Sequence, residues 1–108
     1  MRQLAACQNV HVKLGGLAMA INGFDFHQQL LPPSSGELAQ AWQPWIHACI
    51  EAFGANRCMF GSNFPVDKAM CSYAVLWNAF KRMAAGVSAD ERCALFHDTV
   101  ARFYRIEF

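Results

Sequence analysis

The chain has 108 residues, 55% of them hydrophobic and 16% charged, with a formal net charge of +1. That content of apolar side chains excludes a disordered chain, the scattered Lys and Arg exclude a nucleic-acid or anionic-membrane surface, and no apolar run reaches the ~20 residues that span a bilayer. So little charge on so short a chain implies apolar faces made to pack against something else, self-association included.

Residues 1–7 read as the end of a helix, without a leader-like apolar region, and Gln8-Asn9 as a turn. Val10-His-Val-Lys-Leu14 alternates apolar and polar residues at the period of a strand, and Gly15-Gly16 ends it. Residues 17–33, with Asn22-Gly23 and Pro32-Pro33, form a connection longer than usual. Ser34 and Glu37 make a capping box, in which each side chain bonds the other's backbone N–H. Leu38, Ala41, Trp42, Trp45, Ile46, Cys49 and Phe53 then recur at helical spacing, with Pro44 as a kink or second start and Gly54 as the stop.

Arg57-Cys-Met-Phe60 reads as a short buried strand, and Gly61-Ser-Asn-Phe-Pro65 as the loop at its C-terminal end. Tyr73, Leu76, Trp77, Phe80 and Met83 mark another amphipathic helix, closed by Gly86. Ser88 and Glu91 repeat the capping box before a last helix lined by Cys93, Phe96, Val100, Phe103 and Tyr104. Strands joined through a helix run parallel, and a parallel sheet is covered on both faces. The fold class is therefore α/β, with two strands too few to complete their own sheet. The five cysteines form no C-x-x-C pair, and they read as buried small hydrophobes in a reducing cytoplasm.

Three runs taken together, Asn9-Val-His-Val-Lys-Leu-Gly-Gly16, Ala41-Trp-x-Pro-Trp45 and Phe53-Gly-x-x-Arg-Cys-Met-Phe-Gly-Ser-Asn-Phe-Pro65, resemble the end of the amidohydrolase-related family. Ala101-Arg-Phe-Tyr104 is similar to that family's closing helix. The resemblance implies a TIM-barrel hydrolase of lactones, cyclic esters or amides. Residues 1–108 would then be the C-terminal fragment of a (β/α)8 barrel, with two parallel strands and three helices, inactive alone. Met1 would be an internal methionine. A divalent metal such as zinc is expected in the full-length parent but no metal site within this chain, since the family's His-x-His strand is absent. The expected partner is a small-molecule substrate.

Barrel active sites lie at the C-terminal ends of the strands. That singles out Lys13, Asn63 and Asp67. Asn63 stands where the resemblance leads one to expect Asp, in Gly-Ser-Asp-x-Pro. An amide cannot take up a proton as a carboxylate does, so Asn63 either orients water or a substrate carbonyl, or caps a turn. Asp67 either replaces the missing carboxylate, or is a solvated loop acid or helix cap, and the frequency of Asp near helix starts favours the latter. Lys13 either meets a substrate anion or a developing oxyanion, or snorkels at the rim. His27, in the long connection that could lie over the barrel mouth, is a further choice for substrate binding, and Asp25 with it for a supporting place behind the contacting residues. His47 and His97 read as helix residues.

Overall fold

A computed structural model describes residues 2–17 and 31–107. The expected loop features at Asn22-Gly23, and the candidates Asp25 and His27, lie outside the described residues. The elements in chain order are α1 (Arg2–Ala5), β1 (Val12–Leu14), α2 (Ser35–Phe53), β2 (Cys58–Phe60), α3 (Tyr73–Met83), α4 (Ala89–Cys93) and α5 (Thr99–Tyr104), with a π turn (Ala94–Asp98) joining the last two. Short 3-10 turns occupy Ala55–Arg57 and Val66–Ala69. The chain divides into two compact units. One holds Met1–Leu14, Pro44–Phe60 and Gly86–Phe108, and the other Gly15–Gln43 and Gly61–Ala85.

The first unit is built on the two strands. They pair in parallel, with Val12 opposite Cys58, Lys13 opposite Met59 and Leu14 opposite Phe60. All of β2 is buried, as expected of a parallel strand covered on both faces. Both strands are shorter than their apolar patterns suggest. Arg57 belongs to a 3-10 turn, because its N–H bonds the Gly54 carbonyl instead of joining the ladder. Its guanidinium donates to the carbonyls of Phe53 (3.1 Å), Cys7 (2.9 Å), Val10 (3.5 Å) and Ala5 (2.8 Å). One side chain thus fastens the N-terminal turn to the start of β2.

The last helix departs from its reading. Ala94, Leu95 and Thr99 are its buried residues, while Cys93, Phe103 and Tyr104 are exposed. The π turn inserts an extra residue into one turn and so rotates the inward face. The Thr99 hydroxyl donates to the Ala55 carbonyl at 2.9 Å, and Phe96 lies 4.8 Å from Phe60, centroid to centroid. The Ser88–Glu91 capping box forms in full.

In the second unit the Ser34–Glu37 box also forms, with Glu37 N–H donating to Ser34 Oγ at 3.2 Å and Ser34 N–H to Glu37 Oε1 at 3.4 Å. Leu38 and Trp42 are fully buried along α2. From Pro44 on, α2 belongs to the first unit, and Pro44 neither ends nor restarts the helix. It removes the donor that Gln40's carbonyl would receive, but Gln40 is exposed, where solvent can take the place of that donor. Trp45, expected on the inner face, is 61% exposed. Gly54 closes α2 with φ 79°. In α3, Leu76, Ala79, Phe80 and Met83 are buried and Ser72 caps the N-terminus. Tyr73 is largely exposed, its ring edge-on to Phe64 at 5.3 Å.

The cysteines are all free thiols. Cys58 and Cys71 are buried as expected, but Cys7, in the bend after α1, and Cys93, at the end of α4, are exposed.

Candidate functional site

The second unit brings together the segments that follow the two strands. Gly15 comes directly after β1 and Gly61 directly after β2. A β-carbon on Gly15 would collide with the carbonyl oxygen of Gly61, so only glycine lets the two backbones pass. Gly16 has φ 76°, a left-handed conformation that glycine adopts without strain. A β-carbon there would sit 3.6 Å from the Asn63 amide nitrogen. Asn63 itself has φ 54°, a region that Asn tolerates better than most residues. The Phe64–Pro65 peptide is cis. The Ser62 hydroxyl accepts from the Phe64 N–H at 3.2 Å.

Asn63 and Asp67 are joined twice. The Asp67 N–H donates to the Asn63 carbonyl at 3.1 Å, and Asn63 Nδ2 donates to Asp67 Oδ1 at 2.8 Å. Asp67 is only 2% exposed, which overturns its reading as a solvated loop acid. Nor does its carboxylate cap a helix. The N–H groups of Met70 and Cys71 bond its backbone carbonyl, and Oδ2 is buried with no hydrogen-bond partner. Burying a carboxylate oxygen without a partner is costly. Cys71 records the local environment: burial, then the neighbouring Asp67 charge, push its thiol pKa up.

Asn63, by contrast, is exposed. The arrangement is therefore a buried carboxylate held on one oxygen by an amide that reaches the surface. It can accept a proton or a hydrogen bond through the other oxygen. It does not by itself make a metal site. A catalytic zinc takes three protein ligands, and among the described residues no group of three His, Cys, Asp or Glu is suitably placed.

Lys13 belongs to the first unit. It is exposed, and its Nζ lies 5.0 Å from the centroid of the Tyr104 ring, a cation–π distance. His11, just before β1, has its ring tilted against Phe103 at 4.8 Å between centroids, with its Nδ1 buried and without a hydrogen-bond partner. His47 and His97 are exposed on helical turns, and His97 pairs with Asp98 at 2.8 Å. What the residue types alone did not reveal is the approach of Gly15 to Gly61, although two successive glycines at a strand end are the signal for it.

The amidohydrolase family profile matches residues 1–106. The chain belongs to the amidohydrolase family. Within it, the uncharacterised protein y4mH of Sinorhizobium fredii is 42% identical over 98% of this chain and 31% of its own. An L-fucono-1,5-lactonase of Burkholderia multivorans is 35% identical, over 98% of this chain and 34% of its own. A crystal structure of a Burkholderia multivorans amidohydrolase with bound zinc superposes with a TM-score of 0.82 at 34% identity, covering 98% of this chain and 35% of that one. The chain thus spans about a third of the length of these relatives. Its mixed α/β architecture, two parallel strands with their helices, is that of the matching third of the amidohydrolase structure. Among the described residues no helix is long and apolar enough to cross a membrane.

Proposed function

We propose that these residues form part of a barrel hydrolase that opens a lactone, cyclic ester or cyclic amide by attack of water. The observation that carries this reading is the buried Asp67 carboxylate with one oxygen unpaired, in the loop that follows β2. In such a reaction the unpaired oxygen takes a proton from water as the water oxygen bonds to the ring carbonyl carbon. The ring C–O or C–N bond then breaks, and the leaving oxygen or nitrogen recovers a proton. Asn63, whose amide holds the other carboxylate oxygen, thereby helps to orient the water or the carbonyl. Lys13 is assigned, on the sequence argument alone, to an anionic group of the substrate. The lactonase activity of family relatives supports the choice of substrate class.

The test is hydrolysis of a panel of sugar lactones by the intact natural protein, followed by pH-stat, alongside its Asn63→Asp and Asn63→Ala variants. Turnover that changes in at least one variant is expected. Identical turnover in all three would remove Asn63 from the site.

A second reading is favoured by the large apolar side chains exposed on the first unit, Trp45, Phe103, Tyr104 and Ile106 among them. It makes the chain a non-catalytic module that self-associates through such faces. Light scattering after size exclusion distinguishes it, because a monomer at all concentrations is incompatible with assembly.

A further inference from the structure

We propose that Asn63 is a positioning residue for Asp67. It locks Oδ1 so that Oδ2 becomes the acceptor for one hydrogen-bond donor of the ligand, a water or a hydroxyl group. This rests on the hydrolase reading for the identity of the ligand, but its geometry stands apart from it. Three observations carry it. Asp67 is more than nine-tenths buried, yet Oδ2 has no partner. Oδ1 receives the Asn63 amide at 2.8 Å, and the Asp67 N–H bonds the Asn63 carbonyl, so backbone and side chain fix the pair in one geometry. Asn63 reaches the surface while Asp67 does not, so the amide supports the inner carboxylate from its solvent side.

A carboxylate kept for structure has its oxygens satisfied, because an unpaired buried acceptor costs stability. One left half-satisfied in the loop that follows a strand is retained for what it binds. Asn63 then works through Asp67. Losing it frees the carboxylate to rotate, which reduces the rate of the chemical step more than the binding of substrate.

The experiment uses the intact natural protein with Asp67→Leu, Asp67→Asn and Asn63→Ala, read by thermal melting, by kcat and KM on the lactone panel, and by exchange of the Asn63 side-chain amide protons in NMR. Asp67→Leu exchanges a half-paired charge for an apolar group of similar shape, so its Tm is expected to equal or exceed the parent's while kcat falls about 100-fold or more. Asp67→Asn serves if the leucine variant does not fold, and is expected to keep the parent Tm and lose the same turnover. Asn63→Ala is expected to lower kcat about 10-fold with KM nearly unchanged. One Asn63 amide proton is expected to exchange slowly in the parent and fast in the Asp67 variants.

A clear drop in Tm for Asp67→Asn would mean that Oδ2 is satisfied and the carboxylate structural, which overturns the proposal. So would a fast-exchanging amide in the parent, or an Asn63→Ala enzyme with parental kcat. If the parent opens no lactone, the hydrolase reading fails. Melting and amide exchange then decide the positioning claim alone, a parental or raised Tm with a protected amide supporting it and either opposite result overturning it.

Discussion

Arg57, directly before strand β2, and Asp67, in the 3-10 turn of the loop that follows it, are both charged, and they are treated in opposite ways. The Arg57 guanidinium donates to four backbone carbonyls and lies 5.2 Å from the centroid of the Phe53 ring. The Asp67 carboxylate is more deeply buried, yet receives a single amide and leaves an oxygen bare. A charge whose every contact is internal holds the chain in shape. A charge with an unpaired oxygen keeps the capacity for one more hydrogen bond. Burial alone does not separate the two, whereas the count of satisfied atoms does.

The contrast breaks most easily at Arg57. Arg57→Ala should cost about 3 kcal/mol in denaturant unfolding, because several carbonyls lose a charged donor together. Arg57→Lys should recover less than half of that, since an ammonium cannot reproduce a planar fork aimed at separate acceptors. If Arg57→Ala proves as mild as Asp67→Leu is expected to be, the distinction between a structural and a functional charge fails here. A neutral analogue of Arg57 is Thr99, whose buried hydroxyl serves the Ala55 carbonyl. Thr99→Val should cost about 1.5 kcal/mol by the same unfolding measurement. Ser88→Ala, which removes an exposed cap, should cost about 1 kcal/mol.

The smallest effect sharpens the comparison from the side of the thiols. Burial, then Cys49, raise the Cys58 thiol pKa from 9.0 to about 11, with Arg57 opposing. A raised pKa means that the folded state prefers the neutral thiol. The resulting stability is complete below pH 9 and is lost as pH climbs through about 11. Alkylation at pH 8 followed by mass spectrometry should therefore mark the exposed Cys7 and Cys93 first and Cys58 last.

Local chemistry was legible where one residue speaks for itself. Both capping boxes and the Gly54 stop can be read from residue type and spacing, because each motif closes its own hydrogen bonds within four residues. The parallel pairing follows from strands linked through a helix. What stayed hidden depends on non-local geometry. A π turn leaves no mark on residue type, so Cys93, Phe103 and Tyr104 read with Phe96 and Val100 as the inward face, while the helix buries Ala94, Leu95 and Thr99 and keeps only Phe96 and Val100 of that set half-buried. Trp45 fits a helical stripe by spacing but falls beside the buried line of Leu38, Trp42 and Ile46. Asp67 looked like an ordinary loop acid, since burial is decided by what packs over a residue and not by its own identity. Asn63 was singled out by its place after a strand, and its link to Asp67 emerged only from the folded loop.

The glycines at the strand ends carry unequal restrictions, and a saturation scan would separate them. Gly15 is closed by contact, so all nineteen replacements should be rejected there, however their torsion angles suit the backbone. Gly16 is closed by handedness alone, and should admit Asn or Asp at reduced fitness. Gly61, whose own β-carbon would meet nothing within 4 Å, should admit Ala. Of two glycines pressed against each other, selection would thus see only one, and the tolerance of the other would conceal how narrow the passage is.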